Sequence, residues 1–174
     1  MNFEVFGPYL IQTKSIIKTA DVEELWQSIQ SNEPERSQLF SSPGCYVFGI
    51  KPAGSSRVIP WYVGKSEKQS VFNEATNKSH LQLYNEILDE YKRGLPAFFF
   101  LPQVTPTGRG KTVAASDGHR MAVEFVESWL IAAAIKSNPK LINIQKTKML
   151  TKLWVRGLFN PEQGDASNAS KALK

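Results

Sequence analysis

Two short aromatic and β-branched runs dominate the middle of this chain. Cys45-Tyr46-Val47-Phe48-Gly49-Ile50 and Val58-Ile59-Pro60-Trp61-Tyr62-Val63 are separated by Lys51 to Arg57, which contains Pro52, Gly54, Ser55 and Ser56. Strand-forming runs joined by turn residues read as a β-hairpin. Ser42-Pro43-Gly44 punctuates the chain just before the first run. A third run, Ala97 to Leu101, is apolar throughout and reads as a strand buried on both faces.

Helical spacing surrounds these strands. Val22, Leu25, Trp26 and Ile29 predict a helix from about Val22 to Gln30, with Asp21 and Glu24 as a capping box. Asn32 to Arg36 reads as a polar loop. Leu81, Tyr84, Ile87, Leu88 and Tyr91 mark the buried face of a helix over about Val71 to Arg93, stopped by Gly94-Leu95-Pro96. Another helix is expected from about Gly118 to Ile135, capped by Asp117 and ended by Asn138-Pro139. Leu141 to Ile144 and Lys152 to Phe159 are candidate short strands. The order helix, hairpin, helix, strand, helix and short strands defines an α+β class, a small mixed sheet flanked by helices. The expected organisation is one domain over 1–159 with an N-terminal helical extension and a core at about 42–145. The tail 160–174 is polar, aperiodic and expected to be mobile.

Composition narrows the function classes. At 174 residues the chain is long enough for one domain with its own core. The single cysteine excludes a disulfide framework and a Cys-rich zinc site. No signal-peptide pattern opens the chain and no apolar run is long enough to span a bilayer, so a cytoplasmic protein without membrane contact is expected. The net charge of +5 is concentrated: residues 111–159 hold eight Lys/Arg and three Asp/Glu. A nucleic-acid footprint is one reading of Lys136, Lys140, Lys146, Lys148 and Lys152, and a solvated face is the other.

Several catalytic classes lack their residues. Gly110-Lys111-Thr112 resembles the end of a phosphate-binding loop, but the glycine required five residues earlier is Thr105. Arg109 and Lys111 remain as phosphate contacts from a basic loop. The two histidines, His80 and His119, have no zinc-protease spacing. Cys45 sits inside an apolar strand and reads as a buried, inert thiol. Strand alternation allows Tyr46 and Tyr62 to share one face of the hairpin, and with Lys65 they would suit a phosphate substrate. Glu127 stands in an apolar helix segment, where a carboxylate lies either at the solvent edge or buried with a partner.

Gly44-Cys45-Tyr46, Tyr62-Val63-Gly64-Lys65, Glu127 before Leu130-Ile131, and Asn143 occur in that order. This set, spanning Gly44 to Asn143, resembles the GIY-YIG nuclease family. The resemblance implies a compact core around a three-stranded antiparallel sheet and a DNA endonuclease dependent on Mg²⁺ or Mn²⁺, with RNA as a further substrate class. It implies that Glu127 binds the metal, Tyr46 orients or activates the attacking water, Tyr62 positions water or phosphate, and Lys65 pairs with a phosphate oxygen. The family places an arginine about two turns beyond its second triplet. Here Ser66 to Glu74 contains none, leaving Lys68, Lys78, His80 or Arg109 as substitutes. A nuclease fold kept only as a nucleic-acid-binding or protein-interaction module is the alternative. Asn143 is expected to contact phosphate or nucleic acid, and its other reading is a residue that satisfies backbone at a strand end. A homodimer or a protein partner is left open.

Overall fold

The computed structural model describes residues 2–13, 15–91, 94–105, 112–113 and 120–143. Its elements are β1 (Asn2–Phe3), β2 (Phe6–Leu10), α1 (Thr19–Asn32), α2 (Pro34–Leu39), β3 (Gly44–Lys51), β4 (Ile59–Ser66), α3 (Val71–Ala75), α4 (Lys78–Glu90), β5 (Leu95–Val104) and α5 (Met121–Ser137). The protein is α+β, with a five-stranded sheet between helices. The strands run β4–β3–β5, and β1 and β2 both pair with the far edge of β5. Every strand pairing among the described residues is antiparallel, as expected for the core, and the sheet has five strands rather than three. The N-terminal extension is likewise not only helical. Its first ten residues supply β1 and β2, which carry too few alternating positions to signal strands by themselves.

Burial on both faces explains the apolar run of β5. Phe98 and Phe100 join Tyr46, Phe48 and Ile50 on one face, under Leu25, Ile29, Phe72, Tyr84 and Ile87 of the helices α1, α3 and α4. Phe99 and Leu101 turn to the other face, where Cys45 and Val123 of α5 meet them. Cys45 is fully buried there and its thiol donates to the Val123 carbonyl at 3.3 Å. Alternate side chains of one strand thus serve two cores.

The helices depart from expectation at their ends. Asp21 accepts from the Lys18 backbone N–H at 2.7 Å, so it closes the first turn from inside and α1 begins three residues earlier than expected. The loop expected after α1 is partly helical, because Pro34 starts α2 at a position where a missing N–H costs nothing. The long helix expected over Val71 to Arg93 is two. Ser70 caps α3, and Asn77 caps α4 by accepting from the His80 N–H at 2.9 Å. The expected cap at Asp117 lies outside the described residues, as do Arg93 and the candidate strand over 152–159.

Leu141 to Asn143 is not a strand, although it does a strand's work on the exposed edge of β4. Asn138 Nδ2 donates to the Pro60 carbonyl at 2.8 Å, and the Ile142 N–H donates to the Trp61 carbonyl at 3.0 Å. The Asn143 side chain accepts from the Val63 N–H at 2.8 Å and donates to the Val63 carbonyl. A side-chain amide thereby completes a ladder that backbone would otherwise supply. Asn143→Ala leaves two buried polar groups of Val63 unpaired. Its expected cost is about 2 kcal/mol or more in urea unfolding, with the midpoint lowered and the slope unchanged.

Candidate functional site

A β-bulge in β4 sets the geometry. Phe48 pairs with Tyr62 and Gly49 with Pro60, so Trp61 is an extra residue with no opposite number. The insertion shifts the alternation by one position. Trp61 and Tyr62, although consecutive, both pack on the α4 side, Trp61 against Tyr91 and Tyr62 against Tyr84. Beyond the bulge Tyr62 and Gly64 face the same way as Tyr46, and Val63 faces α5.

Tyr46 and Tyr62 are neighbours, with ring centroids 6.2 Å apart. Gly64 lies directly opposite Tyr46 in the register. A Cβ built on Gly64 would collide with Cζ and Oη of that ring, so the second triplet ends in glycine because a phenol lies across it. The Tyr46 hydroxyl reaches His80 Nε2 at 3.1 Å. His80 Nδ1 lies 2.9 Å from the Glu74 carbonyl oxygen and 3.8 Å from its carboxylate. A carbonyl only accepts, so Nδ1 carries the proton and Nε2 is left to accept from Tyr46. The break between α3 and α4 makes this contact possible, because the Asn77 cap orients the first turn of α4 that bears His80. His80 is half-buried against three tyrosines rather than an exposed helix residue.

Burial raises the pKa of all three phenols. Desolvation is the main cause for Tyr46, and the neighbouring tyrosines add to it. For Tyr62 desolvation is again first, followed by the negative charge of Glu127. Tyr84 is driven well up by desolvation and then by Tyr62, and the Tyr46 hydroxyl opposes this in part; its own hydroxyl is buried and, among the described residues, makes no hydrogen bond of good geometry. Glu127 stands on α5, on the opposite face of the sheet from the phenols, and its charge reaches Tyr62 without contact. At 100° per residue Glu127 shares its side of α5 with Val123, Ile131 and Ala134, which are packed on the sheet. It is half-buried on the sheet-facing side of the helix.

The remaining expected residues distribute unevenly. Lys65 pairs in register with Cys45 and so faces α5, where its ammonium lies 3.3 Å from the Glu67 carboxylate. Lys68 is exposed just beyond β4. Lys78 is exposed at the start of α4, where it lines a groove of about 1110 Å³ between that helix and residues 15–22, away from the tyrosines. Asn143 is buried, with both amide groups bonded to Val63, which is the second of the two readings open for it. Arg109 and Lys111 lie outside the described residues.

Three site residues escape sequence reasoning. Tyr84 had a signal, since it follows His80 by four residues on one helix and the two share a face, whereas Glu74, on α3, had none. Arg120 had none. It arrives from the start of α5, where its backbone N–H donates to Glu67 at 3.0 Å and its guanidinium donates to Gln103 at 3.1 Å. Among the described residues it brings a guanidinium to the Lys65–Glu67 end of β4, while α3 carries none.

No three His, Cys, Asp or Glu side chains gather as a metal cage among the described residues. A lone carboxylate at Glu127 still suits Mg²⁺, which keeps most of its water and takes further oxygens from a phosphate. Neither the family models, the curated proteins nor the solved structures include a match to this chain.

The raised phenol pKa values give a direction to alkaline stability. Above pH about 10 the unfolded tyrosines release protons that the folded ones keep. The folded state then binds more protons, so stability falls as pH rises, by up to about 1.4 kcal/mol per unit for each phenol. Tyr84→Phe is expected to flatten this slope by about one such step. At pH 7 it is expected to cost no more than about 1 kcal/mol, the worth of one hydrogen bond between the Tyr84 and Tyr46 phenols. Urea unfolding from pH 7 to 11 measures both effects.

Proposed function

We propose that this chain is a metal-dependent endonuclease of GIY-YIG type that hydrolyses DNA phosphodiester bonds. The observation that carries the reading is the hydrogen bond from Tyr46 to an oriented His80, with Tyr62 beside it and Glu127 acting on Tyr62. The three long strands β4, β3 and β5 correspond to the sheet core that the family resemblance implies.

The roles follow from the contacts. Burial makes Tyr46 a poor free base, since its phenolate is disfavoured. A neutral Tyr46 can instead accept a proton from the attacking water while giving its own to His80 Nε2. The imidazolium so formed lies beside the Glu74 carboxylate. Tyr62 positions the water or the phosphate at the point where the charge of Glu127 reaches it. Glu127 would hold Mg²⁺ or Mn²⁺, which would supply Lewis-acid stabilisation of the charge developing on the phosphate and the leaving oxygen. Lys65 and Arg120 offer cations to the flanking backbone from the α5 side of β4, and Lys68 and Lys78 extend the positive surface. Asn143 acts as a positioning residue by holding the β4 edge.

Purified protein is expected to nick plasmid DNA with Mg²⁺ or Mn²⁺. Glu127→Ala abolishes cleavage, and Tyr46→Phe and His80→Ala each lower it by about 100-fold or more. Protein that cuts neither DNA nor RNA with either metal refutes the enzyme.

A second reading is a nuclease fold retained only for binding nucleic acid or protein. It is favoured by the absence of arginine from α3 and by Tyr46 being only 1% exposed. Binding that weakens steeply with salt, without cleavage, distinguishes it.

A further inference from the structure

Helix α5 is apolar around most of its circumference, and one side of that apolar surface is exposed. Val123, Ile131 and Ala134 are buried on the sheet. On the opposite side Met121 is 77% exposed, Phe125 71% and Trp129 62%. These three stand four residues apart, so they form one stripe along the helix. Exposed Ala133 and Lys136 continue it toward the C-terminus. Large apolar side chains aligned in this way on a globular surface mark a contact.

We propose that this stripe is the interface between two copies of this chain, paired antiparallel through α5. Self-complementarity supports a second copy as the occupant. With the twofold axis beside Trp129, the helix repeat places Phe125 opposite the partner's Ala133, a large side chain over a small one. Trp129 meets the partner's Trp129 at the centre.

The area is also adequate. Large aromatic side chains bury roughly 150–250 Å² each, so the exposed parts of the two aromatics and Met121 offer about 400 Å². A standard interface covers about 800 Å² per partner, of which somewhat over half is apolar. The stripe therefore supplies most of the apolar core that a stable dimer needs. Glu127 lies about 200° around the helix from Phe125, so the pairing leaves it uncovered.

Sedimentation velocity of the full chain over a concentration series tests the proposal. The expected mass at high concentration is twice the chain's 19.5 kDa. Trp129→Ala should raise the dissociation constant about 30-fold or more, as the loss of a central aromatic anchor does. Phe125→Glu combined with Trp129→Glu should give monomer with an unchanged circular dichroism spectrum, since neither side chain is buried in a single copy. A wild-type chain that stays monomeric at every concentration overturns the proposal, whatever else covers the stripe. So does a dimer that tolerates both glutamates.

Discussion

One inserted residue in one strand controls the arrangement on which the candidate site depends. Without Trp61 as a bulge, simple alternation would carry Ile59, Trp61 and Val63 to one face and leave Tyr62 on the other. The bulge resets the phase, so Tyr62 and Gly64 join Tyr46 while Val63 anchors α5. The edge position of β4 makes this tolerable, because the ladder it interrupts is completed from outside by Asn138, Ile142 and Asn143. Edge strands are where bulges concentrate, and there they re-aim side chains.

The cluster so formed is electrostatically unusual. Three phenols and an imidazole share a space with little water, and desolvation raises every phenol pKa. Such a site favours neutral species. A tyrosine in it is suited to passing a proton rather than storing a negative charge. His80 is the acceptor that this role needs, and its tautomer is set by the Glu74 carbonyl. The cations stay at the rim or on the other face of β4, where Lys65 and Arg120 both meet Glu67.

Much of the scaffold could be read from the chain. The hairpin, the buried character of β5 and the existence of α1 and α5 follow from runs and periodicities within a few residues. The glycine of the second triplet was visible, and the structure supplies its reason, a tyrosine ring lying where a side chain would go. Short elements were missed because β1 and β2 gain stability only by pairing with β5, 87 to 102 residues away. The division of the second long helix turned on one asparagine whose side chain could equally have pointed to solvent.

The sequence by itself determined the α+β class, the principal strands and helices, and the residues Tyr46, Tyr62 and Glu127 as candidates for chemistry. Alternation, helical spacing and turn chemistry are local, so they survive without knowledge of the fold. Tertiary structure alone decided the company those residues keep. Tyr46 meets His80 across 34 residues, Arg120 meets Glu67 across 53, and Asn143 meets Val63 across 80. Such pairings are set by how strands register and helices dock, and a one-residue bulge is enough to redirect them.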